Sequence, residues 1–91
     1  MNLKVYCVRD EKVNAYVPPV YFNNDAQAIR AFGDSVCNSK SNFARHPEDY
    51  SFWCIGTFDD NSGKLVGHEP VYISRAMDFV KPVLEKKDDS L

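Results

Sequence analysis

The chain has 91 residues, 44% of them hydrophobic and 13% aromatic, with a formal net charge of −2. That is one domain's length with enough apolar content for a single core, which excludes intrinsic disorder. The faintly acidic balance excludes a strong non-specific nucleic-acid binder, whose affinity would come from many Lys and Arg neutralising phosphates.

The total conceals an asymmetry. Residues 1–45 carry six basic and four acidic side chains, for +2, whereas residues 46–91 carry five and nine, for −4. A weakly basic first half beside an acidic second half allows a local basic face. Cys7, Cys37 and Cys54 are odd in number and widely spaced. They form neither a disulfide framework nor a zinc motif. The N-terminal Met-Asn-Leu-Lys lacks a signal-peptide pattern, and no apolar run approaches the ~18 residues of a membrane span. A soluble protein of a reducing cytoplasm is expected, with no membrane partner.

Leu3 to Val8 alternates as a strand, with Leu3, Val5 and Cys7 on one face and Lys4, Tyr6 and Val8 on the other. Asp10-Glu11-Lys12 forms a turn, and Val13 to Phe22 returns as a second strand. Pro18-Pro19 cannot donate ladder hydrogen bonds, so that strand is bulged, at an edge, or split there. Asn23-Asn24-Asp25 supplies helix N-caps. From Asp25 to about Cys37 the spacing predicts a helix, with Ala26, Ile29, Phe32, Gly33 and Val36 as its apolar stripe. Gln27, Arg30 and Asp34 point away.

Tyr50 to Phe58 is the strongest strand pattern in the chain. Asp59-Asp60-Asn61-Ser62-Gly63 reads as a hairpin turn with Gly63 in a left-handed position. Lys64 to His68 returns as a fourth strand, ended by Glu69-Pro70. Ser74 then caps a short helix carrying Ala76, Met77, Phe79 and Val80, which Pro82 curtails. The expected fold class is therefore α+β. It is a small antiparallel sheet of about four strands in the order β-β-α-β-β, with the main helix on one face. Residues 1–84 form the single domain and 85–91 a charged, frayed tail. The other sheet face, with rings such as Tyr6, Tyr16 or one side of the Tyr50–Phe58 strand, is a candidate stacking or dimer surface.

No motif joins a Cys or Ser to His46 or His68 as a nucleophile and base require. Asp59–Gly63 lacks the downstream Glu of a calcium loop, and the four glycines form no phosphate cradle. No catalytic, cofactor or metal residue is assigned, and the chain is not expected to be an enzyme. Between helix and hairpin lies Asn38–Tyr50, which fits neither period. Before Glu48 it carries Lys40, Arg45 and His46 with no acid, plus Phe43. Cations to follow phosphates and a ring to stack a base are what single-stranded nucleic acid asks for. The alternative is architectural: Phe43 and Tyr50 anchor the loop, and Glu48 or Asp49 cap its backbone or pair with Arg45. The two coexist if the rings are buried while Lys40, Arg45 and His46 face outward.

Leu3-Lys4-Val5-Tyr6, Asp10, Lys12, Tyr16, Pro18-Pro19, Ala28-Ile29-Arg30, Phe32 and Asp34 resemble the small nonstructural protein of gokushoviruses. These are microviruses, tailless bacteriophages with single-stranded circular DNA. The similarity continues through Ser41, Phe43, His46-Pro47-Glu48-Asp49-Tyr50, Gly56, Asp59-Asp60 and Gly63, over residues 3–63. The resemblance implies a nonstructural DNA-binding protein that couples late single-stranded genome synthesis to packaging, in the host bacterial cytoplasm. It supplies no DNA-contacting residues. The expected function is accordingly single-stranded DNA binding, with Lys40, Arg45 and His46 on phosphates, Arg30 assisting, and Phe43 or Tyr50 stacking. The alternative is a protein–protein adaptor for the phage replication initiator, the procapsid or a second copy as a homodimer.

Overall fold

The computed structural model describes residues 1–80. The end of the domain after Val80, the role of Pro82 and the charged tail lie outside the described residues. The elements are β1 (Asn2–Asp10), β2 (Ala15–Tyr16), β3 (Val20–Phe22), α1 (Asp25–Cys37), α2 (Asn42–Arg45), β4 (Tyr50–Asp59) and β5 (Leu65–Arg75). Single 3-10 turns occupy Pro47–Asp49 and Ala76–Phe79.

All strand pairings are antiparallel, in the order β2-β1-β4-β5, with β3 also on β1. β2 and β3 are two halves of one returning strand, interrupted at Pro18-Pro19 where the ladder cannot continue. The turn before them places Asn14 at φ 58, a left-handed conformation that Asn tolerates. The β4–β5 turn is the expected one: Gly63 has φ +75, and Asp59 Oδ1 accepts from Asn61 N at 2.9 Å.

α1 begins where the sequence places it. Asn24 is the N-cap, its Oδ1 accepting from Gln27 N at 2.9 Å. The buried stripe is Ala28, Phe32, Gly33 and Val36, with Ile29 half-buried. Ala26, expected in that stripe, is exposed, because the docked face runs through Ala28, Phe32 and Val36 and Ala26 lies about 200° around the helix from Ala28. The stripe covers one sheet face. Tyr6 stacks on Phe52 with centroids 5.4 Å apart and planes 9° from parallel. Phe52 stacks in turn on Phe32 of the helix at 4.6 Å and 5°. Tyr6 is thus fully buried under α1 rather than on the open face. A phenol buried there needs a partner, and its hydroxyl donates to Asp25 Oδ1 at the start of α1. Lys4 Nζ meets the same oxygen at 3.4 Å.

Two further expectations are corrected. β5 does not stop at Glu69-Pro70 but runs on to Arg75. As the sheet edge it can accommodate a Pro, and its pairing jumps there: Cys54 opposes Val71 while Gly56 opposes Gly67. A Cβ on Gly56 would lie 2.4 Å from the Val66 carbonyl oxygen, so the bend requires glycine. Ser74 does not cap the final turn. It lies in β5 with a buried hydroxyl that has no partner among the described residues. Asp78 instead accepts from Arg75 N at 2.9 Å.

Phe52→Ala removes the middle ring of the stack, and a loss of about 3–5 kcal/mol in urea unfolding is expected. Asp25 is held below the usual carboxylate range chiefly by the Tyr6 hydroxyl, aided by Lys4. A depressed folded pKa stabilises above the unfolded value and loses that stabilisation as pH falls through the folded one. The stability gap between wild type and Asp25→Asn should therefore be full near neutrality and close below about pH 4 in acid unfolding titrations.

Candidate nucleic-acid interface

Lys40 lies in the turn after α1, Arg45 ends α2, and His46 follows it. α2 exists because Ser41 caps it: its Oγ accepts from Ala44 N at 3.1 Å while donating to the Ser35 carbonyl at 2.6 Å. Phe43 turns inward, 5.8 Å from the Phe32 ring and 4.9 Å edge-to-face with Tyr50. Both rings are half-buried against the core. Burial pushes the Tyr50 phenol up, and the Asp10 and Asp49 carboxylates add to the rise. The loop is tied back by Glu11 N donating to the Asp49 carbonyl at 2.7 Å.

Lys40, Arg45 and His46 are exposed, as is Arg30 on the outward side of α1. Among the described residues none of the four forms an ion pair within 4 Å. Arg45 and His46 sit together at the end of α2; Lys40 and Arg30 come from separate turns. His46, Glu48 and Asp49 bring ligand-type atoms within 4.8 Å of one another on one 3-10 turn. Hydration satisfies exposed donors and acceptors of this kind, and Asp10 and Lys12 line the same shallow hollow as His46 and Asp49.

The sheet face opposite α1 is the larger feature. Cross-strand partners share a face, and the register carries Leu3, Val5, Cys7 and Arg9 of β1 to that side. Their partners there are Phe58 to Leu3, Tyr21 to Val5, Trp53 to Cys7 and Tyr16 to Arg9. Tyr72 of β5 pairs with Trp53. Five rings result, as two pairs and one ring beside a cation: Trp53 and Tyr72 at 5.4 Å, Tyr21 and Phe58 at 5.8 Å, and the Arg9 guanidinium 5.8 Å over Tyr16. Tyr16, Tyr21 and Tyr72 are 47%, 43% and 49% exposed. Among the described residues no helix or loop element covers this layer.

A polar chain fixes its orientation. Trp53 Nε1 donates to Ser51 Oγ at 2.8 Å, and Ser51 Oγ donates to Glu11 Oε2 at 2.5 Å. Glu11 Oε1 accepts from Arg9 Nη1 at 2.5 Å, and Arg9 Nη2 reaches Asn14 Oδ1 at 2.9 Å. Tyr21, Tyr72 and Arg9 were not among the residues expected from sequence to bind, and Trp53 entered only through one side of the Tyr50–Phe58 strand. The alternation of β1 was legible, but which rings share its Leu3–Arg9 side depends on strand order and on the bulge at Ile55.

Fold and surface define a small antiparallel sheet-and-helix protein with one aromatic sheet face left open and a cation-bearing loop at one end of the sheet. The chain belongs to the Phage ORF5 protein family, whose sequence pattern matches residues 3–79. It is 35% identical over 69 residues to Protein ORF5 of Chlamydia phage 1, covering 71% of this chain and 72% of that protein. It is thus a small nonstructural microvirus protein. No solved structure matches the chain. Among the described residues no helix is long and apolar enough to cross a membrane.

The polar chain yields a direct expectation. Glu11→Ala releases Ser51 and Arg9, so emission from Trp53, the chain's single tryptophan, should shift to the red and become more accessible to acrylamide. Unchanged quenching would show that packing alone holds the indole.

Proposed function

We propose that this is a non-enzymatic phage accessory protein that binds single-stranded DNA in the host cytoplasm during genome replication and packaging. The observation that carries the reading is the open five-ring face. Base–aromatic stacking is worth about 1–3 kcal/mol per base and is indifferent to sequence. Stacking therefore moves from Phe43 and Tyr50, whose rings pack on the core, to Tyr16, Tyr21, Trp53 and Tyr72. Lys40, Arg45 and His46 supply phosphate contacts at the end of the sheet nearest Tyr16, with Arg30 on the helix side.

A second reading has its own observation. β5 is an 11-residue edge strand with Leu65, Val66, Val71 and Tyr72 half-exposed or more. Such an edge suits strand addition by a protein partner, whether the replication initiator, the procapsid or a second copy.

Titration with a short oligothymidylate separates the two. DNA binding should quench Trp53 emission and raise the anisotropy of a labelled oligonucleotide at low salt. Tyr72→Ala should weaken it by about 1–3 kcal/mol, and Lys40→Ala/Arg45→Ala should flatten its salt dependence. No quenching and no anisotropy change at low salt overturn the DNA reading. A dimer mass by light scattering in that case favours the adaptor.

A further inference from the structure

The three cysteines occupy three different settings. Cys7 is buried in β1, and burial pushes its thiol up. Cys37 is exposed at the end of α1. Cys54 lies on β4 beside the excursion in β5, where His68, Glu69 and Pro70 stand opposite the single residue Ile55. Bulges of this kind re-aim side chains. Here the excursion turns His68 back toward β4, with Nε2 3.9 Å from Cys54 Sγ.

The other ring nitrogen, Nδ1, is 2.8 Å from the Glu69 carbonyl oxygen. A carbonyl only accepts, so Nδ1 carries the hydrogen, and Nε2 of the neutral ring is left as an acceptor facing the thiol. A nucleophile, a base and a group that orients the base thus stand in line, the arrangement by which thiols are activated. Cys54 is 8% exposed and belongs to the core cluster, whereas His68 is exposed and among the described residues no strand pairs with the outer edge of β5, so the imidazole is the solvent-facing member of the pair.

We propose that Cys54 and His68 form a thiol–imidazole pair that makes Cys54 a site of covalent modification by small disulfides. His68 Nε2 takes the thiol proton, and the Cys54 sulfur attacks one sulfur of the disulfide. A new S–S bond forms as the old one breaks. The Cys54 sulfur is oxidised, and the departing sulfur is reduced and leaves as a thiolate that the imidazolium can protonate. The disulfide is itself the oxidant, and the step is stoichiometric. It is independent of DNA binding: Cys54 opposes Tyr6 and so lies on the helix-facing side of β4, away from the open rings.

The test is reaction of the full chain with dithiobis(nitrobenzoate) near neutral pH, with adducts assigned by peptide mass. In the native protein Cys54 should react at least as fast as it does in urea, and Cys7 far more slowly than in urea. His68→Gln should slow Cys54 by about tenfold or more and leave Cys37, the internal reference, unchanged. If His68→Gln does not fold, as judged by circular dichroism, the native-to-urea ratio of the wild type decides alone. A native Cys54 suppressed like Cys7, or a Cys54 rate indifferent to His68→Gln in a folded variant, overturns the proposal.

Discussion

Phe32, Phe52 and Tyr6 form one column of parallel rings, 4.6 Å and then 5.4 Å between centroids. It joins α1 to both central strands, and most other contacts of the helix layer hang from it. Phe32 also meets Phe43 and Phe79 edge-on or tilted, at 5.8 Å and 5.7 Å. Through those two rings the loop after α1 and the last 3-10 turn are fastened to the same helix. Gly33 permits the second contact, since a Cβ there would stand 2.8 Å from the Phe79 ring. Each ring pair adds about 0.5–1.5 kcal/mol beyond the area it buries. A small domain with limited core volume therefore relies on ring geometry as well as bulk. Tyr6 adds the one polar commitment in the column, because its buried hydroxyl fixes Asp25 and with it the start of α1.

The chain has six Phe, five Tyr and one Trp. Seven of these rings belong to the helix side, and the remaining five lie on the opposite face. The core is closed by the first set. The second lies over Val5 and Cys7 of β1, 2% and 4% exposed, and its Trp53 is held in place by hydrogen bonds running from Trp53 to Ser51 to Glu11 to Arg9. Ordering exposed side chains costs conformational entropy. An uncovered ring layer with a fixed orientation is what a stacking or docking surface needs, and a core does not.

Much of this was legible in the sequence because it rests on short-range rules. Period-two alternation set β1 and β4, Asn24 marked the start of α1, Gly63 marked the hairpin, and Pro18-Pro19 split the second strand. The failures share a cause. Pro70 reads as a stop, but an edge strand can carry a proline, and a three-residue excursion breaks the phase on which alternation depends. Tyr6 and Tyr16 looked equivalent as strand tyrosines. Only strand order reveals that one lies beneath α1 and the other beside Arg9 on the open face. The pairing of Cys54 with His68 was invisible for the same reason, since it arises from the excursion and not from spacing along the chain.

The loop from Asn38 to Tyr50 divides by direction. Its two rings meet each other and the core, while Lys40, Arg45 and His46 are exposed and form no ion pair within 4 Å among the described residues. The open face contributes little free charge, because Arg9 is already bonded to Glu11. Under the DNA-binding proposal, charge and stacking are therefore separated in space. Counterion release gives a slope of about −0.7 per phosphate contacted on a single strand, so two or three loop cations yield a shallow salt dependence. Stacking on uncharged rings is not screened in this way. A net charge of −2 is then no obstacle to binding, provided the rings and not the cations supply most of the affinity.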